Sequence, residues 1–351
     1  MIRERLSRMN NRFKQGLGRR LRFTGRLSRW VGLVLGVAFL LLLLLGWYWS
    51  YEPGDRNVVA MAEQYASDNN HELVVGYTTT FTLLEMMKAL LDKPGGYLSN
   101  DVTPPSLWLD NMPSWEFGVI IQARDLARAM RRDMSRSQSQ STEDPDLARA
   151  EPLFHFDHNS WILPSTESEY RRGMGFIEDY MVRLSDPANT QAQFYARADN
   201  LNRWLEDVET RLGSLSQRLS ASVGQRSVNS NLMLNPDEQS QAPSDLETVV
   251  KTSRLQVDNI FYEARGSTWA LMHFLKAIEA DFGSILDNKN ARVSLRQVIR
   301  ELEGTQHSIF SPIILNGSGF GLLANHSLVM ANYISRANAA LSDMRELMAS
   351  G

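Results

Sequence analysis

Residues 194–219 read FYARADNLNRWLEDVETRLGSLSQRL, and Phe194, Ala198, Leu201, Leu205, Val208, Leu212, Leu215 and Leu219 recur at alternating spacings of four and three. That alternation puts eight apolar side chains on one seam of a helix and sustains it for about four heptads. It predicts a helix over about 188–223, some 50 Å long at 1.5 Å per residue. The Asp186-Pro187 pair marks its start. The alternation resumes downstream at Leu246, Val250, Ser253, Val257, Ile260, Ala264, Ser267, Leu271, Phe274 and Ile278. Small residues on this second seam would let a partner helix come close. The two seams therefore predict an antiparallel hairpin of helices, 188–223 and 245–287, crossing at about 20°.

Helical signals continue on both sides. Thr82-Leu83-Leu84-Glu85 fits a capping box before MMKALL, which ends at Pro94-Gly95-Gly96. Pro113-Ser114 opens a helix to about Met134. Tyr170, Met174, Ile177, Met181 and Leu184 define another that begins near Glu167. Shorter helices are expected at about 291–303 and 325–348. Two polar stretches, at about 135–150 and 225–244, lack the apolar residues that offset chain entropy and read as loops. Leu73-Val74-Val75-Gly76-Tyr77 is the one strand candidate. The fold class expected is all-α.

Towards the amino terminus, Trp30 to Trp49 is a run of twenty uncharged residues, WVGLVLGVAFLLLLLLGWYW. Such a run crosses a hydrocarbon layer of about 30 Å as one helix. Cleaved signal peptides have shorter apolar cores and small residues at the cut. Here the run closes on Trp47, Tyr48, Trp49 and Tyr51, bulky aromatics that favour the headgroup level. An uncleaved transmembrane helix at 30–50 is expected. Residues 1–30 carry 10 basic and 1 acidic side chains, so +9, and the remaining 27 basic and 39 acidic give −12. Positive-inside logic makes residues 1–29 a cytoplasmic basic head lying on the anionic leaflet, at about 1 kcal/mol per cation. Residues 51–351 become a periplasmic helical domain. Thirty residues are too few for a folded nucleic-acid reader, so no nucleic-acid partner is expected.

The chain has no cysteine, which excludes disulfides, thiolate metal sites and cysteine nucleophiles. His155, Asp157 and His158 could share a divalent ion, but three ligands within four residues make an incomplete site. Asn316-Gly317-Ser318-Gly319-Phe320-Gly321 lacks the flanking lysine of a P-loop and the preceding strand and acid of a dinucleotide fingerprint. It reads as a tight connection between helices. Arg124, Arg128 and Arg132 share a helix face with Asp125 and Asp133 close by, which reads as a solvated face with local pairs. No metal, no cofactor and no catalytic residue is assigned. In segment 313–330 only His326 and small hydroxyls could serve a hydrolase. Gly32 and Gly36 offer a weak helix-dimer contact.

The basic head, the single span and the segment PGGYLSNDVTPPSLWLDNMPSWEFGVIIQARDLARAMRRDMSRSQSQSTEDPDL at 94–147 resemble a proteobacterial family of membrane-anchored proteins known only as a domain of unknown function. The resemblance spans nearly the whole chain. It implies a Gram-negative inner membrane and brings no catalytic residues. The functional expectation is a binding or scaffold factor of the cell envelope, with an envelope protein or a second copy as partner. A ligand sensor acting through a partner and an envelope hydrolase stand behind it.

Overall fold

The computed structural model describes residues 28–137, 142–223, 225–228, 247–250, 252–253, 256–308, 314–315 and 325–350. Helix α1, Ser28–Trp49, is long and apolar enough to cross a membrane, and almost all of it is exposed. The bundle that follows comprises α2 (Val58–Asn69), α3 (Tyr77–Asp92), α4 (Asn111–Ala129), α5 (Pro145–Phe154) and α6 (Thr166–Leu184). It continues with α7 (Ala198–Ser220), α8 (Val257–Asp281), α9 (Gly283–Asn288), α10 (Arg292–Gly304) and α11 (His326–Ala349). A π-helical turn, Met130–Met134, closes α4.

Within α7 and α8 the seams are buried from Leu201 to Leu219 and from Ala264 to Ile278, while Ala198 and Ile260 are half-buried and Ser253, ahead of α8, is exposed. Leu205, Leu212, Leu271 and Phe274 are fully enclosed. Their partners differ from expectation. Helix α8 lies chiefly on α4 and α7 chiefly on α11, while α7 and α8 meet only over a short stretch. The reason is the small-residue face of α8. Gly266 meets the Trp115 backbone of α4, and Gly118 of α4 meets the Glu263 carbonyl of α8, so closely that an added Cβ would sit 2.0–2.1 Å from oxygen. A row of leucines such as α7 presents could not approach that far. Gln122 Nε2 donates to Ser267 Oγ across the crossing at 2.8 Å, and the Trp115 and Trp269 rings pack 5.2 Å apart beside it.

Both long helices are also shorter than predicted. Residues 186–197 do not enter α7. Asp186 and Asn189 accept the amides of Ala188 and Gln191, local turns that compete with a helix. Phe194, a seam residue by spacing, instead packs over Gly76, whose φ of +91° and missing Cβ make room for the ring. At the other seam, Glu247–Val250 (β2) pairs antiparallel with Gln225–Val228 (β1), so Leu246, Val250 and Ser253 precede α8 rather than belonging to it. The polar stretch 225–244 thus begins as a strand, and 145–150 of the other polar stretch is the start of α5.

Helix α3 starts at Tyr77, so Thr82 lies inside it and bonds the Thr78 carbonyl rather than capping. The cap comes from another helix. Asp281 of α8 accepts the Thr79 amide at 2.7 Å and the Thr79 hydroxyl at 2.6 Å. The strand candidate 73–77 forms no strand: residues 73–74 are irregular, 75–76 make a turn and Tyr77 opens α3. Helices α4, α6, α10 and α11 lie within a few residues of their expected bounds.

Leu212→Ala should lower stability by about 2–5 kcal/mol. Gly266→Ala should cost at least the roughly 1–3 kcal/mol of an overpacked core, because backbone rather than a flexible side chain blocks the new methyl. Thermal or denaturant melts followed by circular dichroism check both, and a neutral Gly266→Ala would disprove the close crossing.

Candidate functional site

The residues singled out by sequence do not converge. His155 is spent locally: its Nε2 lies 2.8 Å from Arg128 and its Nδ1 3.1 Å from the Glu151 carbonyl. His158 packs on Phe117 with ring centroids 4.9 Å apart and the planes tilted by 48°, and its Nδ1 lies 3.8 Å from the largely exposed Asp157 carboxylate. Burial, then the nearby Arg124 charge, holds the His158 pKa below its usual value. Among the described residues no three such groups gather as a metal site. The His326 ring accepts the Leu315 amide at 3.0 Å, while its own amide donates to Leu315 O. The glycine-rich segment 316–321 lies outside the described residues.

The arginine face of α4 is paired, as its neighbouring acids suggested, with one difference. Arg128 meets Asp125 and Glu151, Arg131 meets Glu143 and Glu151, and Arg132 meets Asp133. Arg124 turns inward and donates to the carbonyls of Phe154 and Phe156 at 2.7 and 2.9 Å. A cation there satisfies acceptors at the carboxyl end of α5.

Two features emerge that the sequence did not show. The first is a groove of about 510 Å³ between α2, α3 and α6. Its floor is apolar and soft, formed by Met61, Phe81, Leu84, Met174 and Met181. Thioethers adapt to varied apolar shapes, and they recur on surfaces that take more than one partner. The rim is polar. Arg171 bonds Asp92 at 2.7 Å, the Tyr65 hydroxyl donates to Glu178 at 3.1 Å, and Lys88 stands exposed between them. Burial, reinforced by the Glu178 charge, raises the Tyr65 pKa, so this hydroxyl stays a donor. The regular 170–181 spacing placed Met174 and Met181 on one face of α6. Which helices would leave that face open depends on tertiary packing.

The second is a clamp between the segment after α1 and the flank of α8. Glu52 accepts from Arg265 at 2.6 Å, and Arg265 also donates to the carbonyls of Thr305, Gln306 and His307 just past α10. Trp269 Nε1 donates to the Gly54 carbonyl at 3.1 Å. Asp55 meets Lys276, and Arg56 pairs with Glu85 of α3. The Arg56 amide donates to Nε2 of fully buried His273 at 3.0 Å. Since Nε2 accepts there, Nδ1 carries the proton and donates to the Trp269 carbonyl 2.7 Å away.

A third element links the two. Glu116 of α4, with no exposed side-chain surface, pairs with equally buried Lys93. Its oxygens also accept the amides of Leu98 and Ser99 at 2.8 Å. Burial pulls the Lys93 pKa down while the Glu116 charge opposes the shift. Removing one member of such a pair leaves an uncompensated charge and costs about 3–5 kcal/mol. Glu116 thereby fixes the loop that leaves α3, and Gly95 of that loop, at φ +87°, receives the Trp49 indole of α1.

A family described as an uncharacterized protein conserved in bacteria (DUF2333) matches residues 23–351, and the chain belongs to that family. No curated protein and no solved structure matches it.

Burial drives the His273 pKa down to about 4, whereas an unfolded histidine titrates near 6.5. Between those values the unfolded chain takes up a proton that the folded chain refuses. Stability therefore falls as pH drops from about 6.5 towards 4, by at most about 3 kcal/mol from this group. Melting temperatures measured across that window should converge between the wild type and His273→Gln as pH falls. A constant gap between them would remove His273 as the cause.

Proposed function

We propose that this protein is a binding or scaffold factor of the bacterial envelope, held at the inner membrane by α1, with the basic head cytoplasmic and the bundle periplasmic. The open, methionine-floored groove on a bundle clamped to its apolar helix carries this reading. The +9 and −12 split either side of the apolar run supports the orientation. The head's bilayer contact is then the anionic cytoplasmic leaflet.

The groove suits an amphipathic protein segment. Its volume takes a few side chains rather than a folded partner. With Glu85 already paired to Arg56, Asp68, Asp92 and Glu178 stand against Lys88 and Arg171 around it, three acids to two bases, so a segment carrying apolar and cationic residues is favoured. A binding role also fits the histidines, since His155 and His326 are each committed to neighbours of the fold. A second copy could instead meet α1 at Gly32 and Gly36, both of which lie open.

Two measurements test this. Alkaline phosphatase fused after residue 60 should be active, and green fluorescent protein at the same point dark. The reverse would end the topology. A photo-crosslinker at Lys88 in living cells should capture a defined envelope protein, and Met174→Glu should abolish the product. A co-purifying small molecule in the groove would favour a sensor acting through a partner. Equal crosslinking from Lys88 and from remote Val293 would sink the groove as the binding face.

A further inference from the structure

We propose that the loop Val102–Leu109 is a second membrane-inserted element, seated in the same leaflet as the bundle-side half of α1. The proposal rests on α1 spanning the bilayer, as read above.

The loop does not stop at the end of α1 but runs down its side. Pro105 and Leu109 face Gly46, where a Cβ would meet them at 3.4 and 3.8 Å. The Trp108 ring packs edge-on against Phe39 with centroids 6.2 Å apart. Phe39, Leu42, Gly46 and Trp49 fall at spacings of three, four and three, so they form one face of α1, and of these Leu42, Gly46 and Trp49 are partly or fully covered. Phe39 lies ten residues before Trp49, about 15 Å along the axis. With Trp49 at the headgroup level, the Trp108 ring enters a hydrocarbon layer about 30 Å thick. Any environment that receives this half of α1 receives the loop tip with it.

The loop has the chemistry such a place demands. Val102, Leu107 and Trp108 are 53%, 66% and 51% exposed, an apolar surface that water would not favour. Backbone donors in hydrocarbon must find partners inside the protein. Pro104 and Pro105 have no amide hydrogen to satisfy. The amides of Leu107, Trp108 and Leu109 donate to the carbonyls of Thr103, Pro105 and Ser106 at 3.3, 3.0 and 2.8 Å. Thr103 places both its amide and its hydroxyl on Asp101. At the loop base, Asn100 bonds the Ser160 carbonyl of a neighbouring loop whose tip bears exposed Trp161, Ile162 and Leu163. This pole of the molecule is therefore apolar beyond the loop itself.

The chain lacks cysteine, so single spin labels can be placed without background. Full-length Leu107→Cys, reconstituted in phosphatidylethanolamine–phosphatidylglycerol vesicles, is labelled and its collision rates with oxygen and with a neutral nickel chelate are compared. Leu41→Cys on α1 reports insertion of the span. Val293→Cys is the aqueous control. It lies next to Arg292, which bonds Glu279 near the carboxyl end of α8, fourteen residues or about 21 Å along that helix from Arg265, where Glu52, the clamp residue nearest α1, is held. The label at 107 should match 41, with an oxygen-to-nickel ratio several-fold above that at 293. If 41 is buried in lipid and 107 behaves like 293, the inserted loop is wrong and the anchor stands. If 41 itself is aqueous, the anchoring reading fails. A label at 107 that is immobile and shielded from both reagents means a protein occupies the surface, which also overturns the proposal.

Discussion

Everything in this bundle is referred to one close approach, the crossing of α4 and α8 at Gly118 and Gly266. Two backbones touch there without intervening side chains. The contact fixes α8, whose other flank presents Arg265, Trp269 and His273 to the chain leaving α1. It also fixes α4, whose Glu116 gathers the loop leaving α3 around a buried carboxylate. That loop delivers Gly95 to Trp49 and Pro105 to Gly46. The position of α1 on the bundle thus follows from a packing distance inside the bundle.

The polar contacts around that framework divide by burial. Exposed pairs such as Arg197 with Asp199 contribute little, since water and salt screen them. The enclosed groups act differently. Glu116 with Lys93, and Arg265 with Glu52 and three carbonyls, each carry a charge that would be costly if left unpaired. Such arrangements specify one loop path more than they add net stability.

The sequence was legible wherever one periodicity sufficed. The burial of Leu205, Leu212, Leu271 and Phe274 follows from apolar spacing, as does the course of α6, and Pro113-Ser114 marked the start of α4 to within a few residues. Pairing was not legible, because a seam states which face is buried and not what covers it. Ser267 and Ala264 correctly signalled a close neighbour, yet Gly118, which makes α4 that neighbour, is a single glycine inside an ordinary helical pattern. Phe194 keeps the seam's spacing but serves Gly76 in an extended segment. The Thr82 capping signal was answered instead by Asp281, two hundred residues away. The groove and the clamp escaped for the same reason, since their residues come from three helices or from opposite ends of the chain. The His155–His158 cluster was conspicuous in sequence and is structurally ordinary.

The clamp also has a mechanical meaning. Between Trp49 and Val58 the backbone is pinned at Gly54 and Arg56 and the side chains at Glu52, Asp55 and Arg56, so no free swivel separates the apolar helix from the bundle. A span answers a thinner or thicker bilayer mainly by changing its tilt. In a jointed protein that tilt would be lost in the linker. With α1 spanning the bilayer as proposed, it would instead become a rotation of the whole bundle, and local bilayer thickness would set the angle at which the α2–α3–α6 groove is held above the lipid surface.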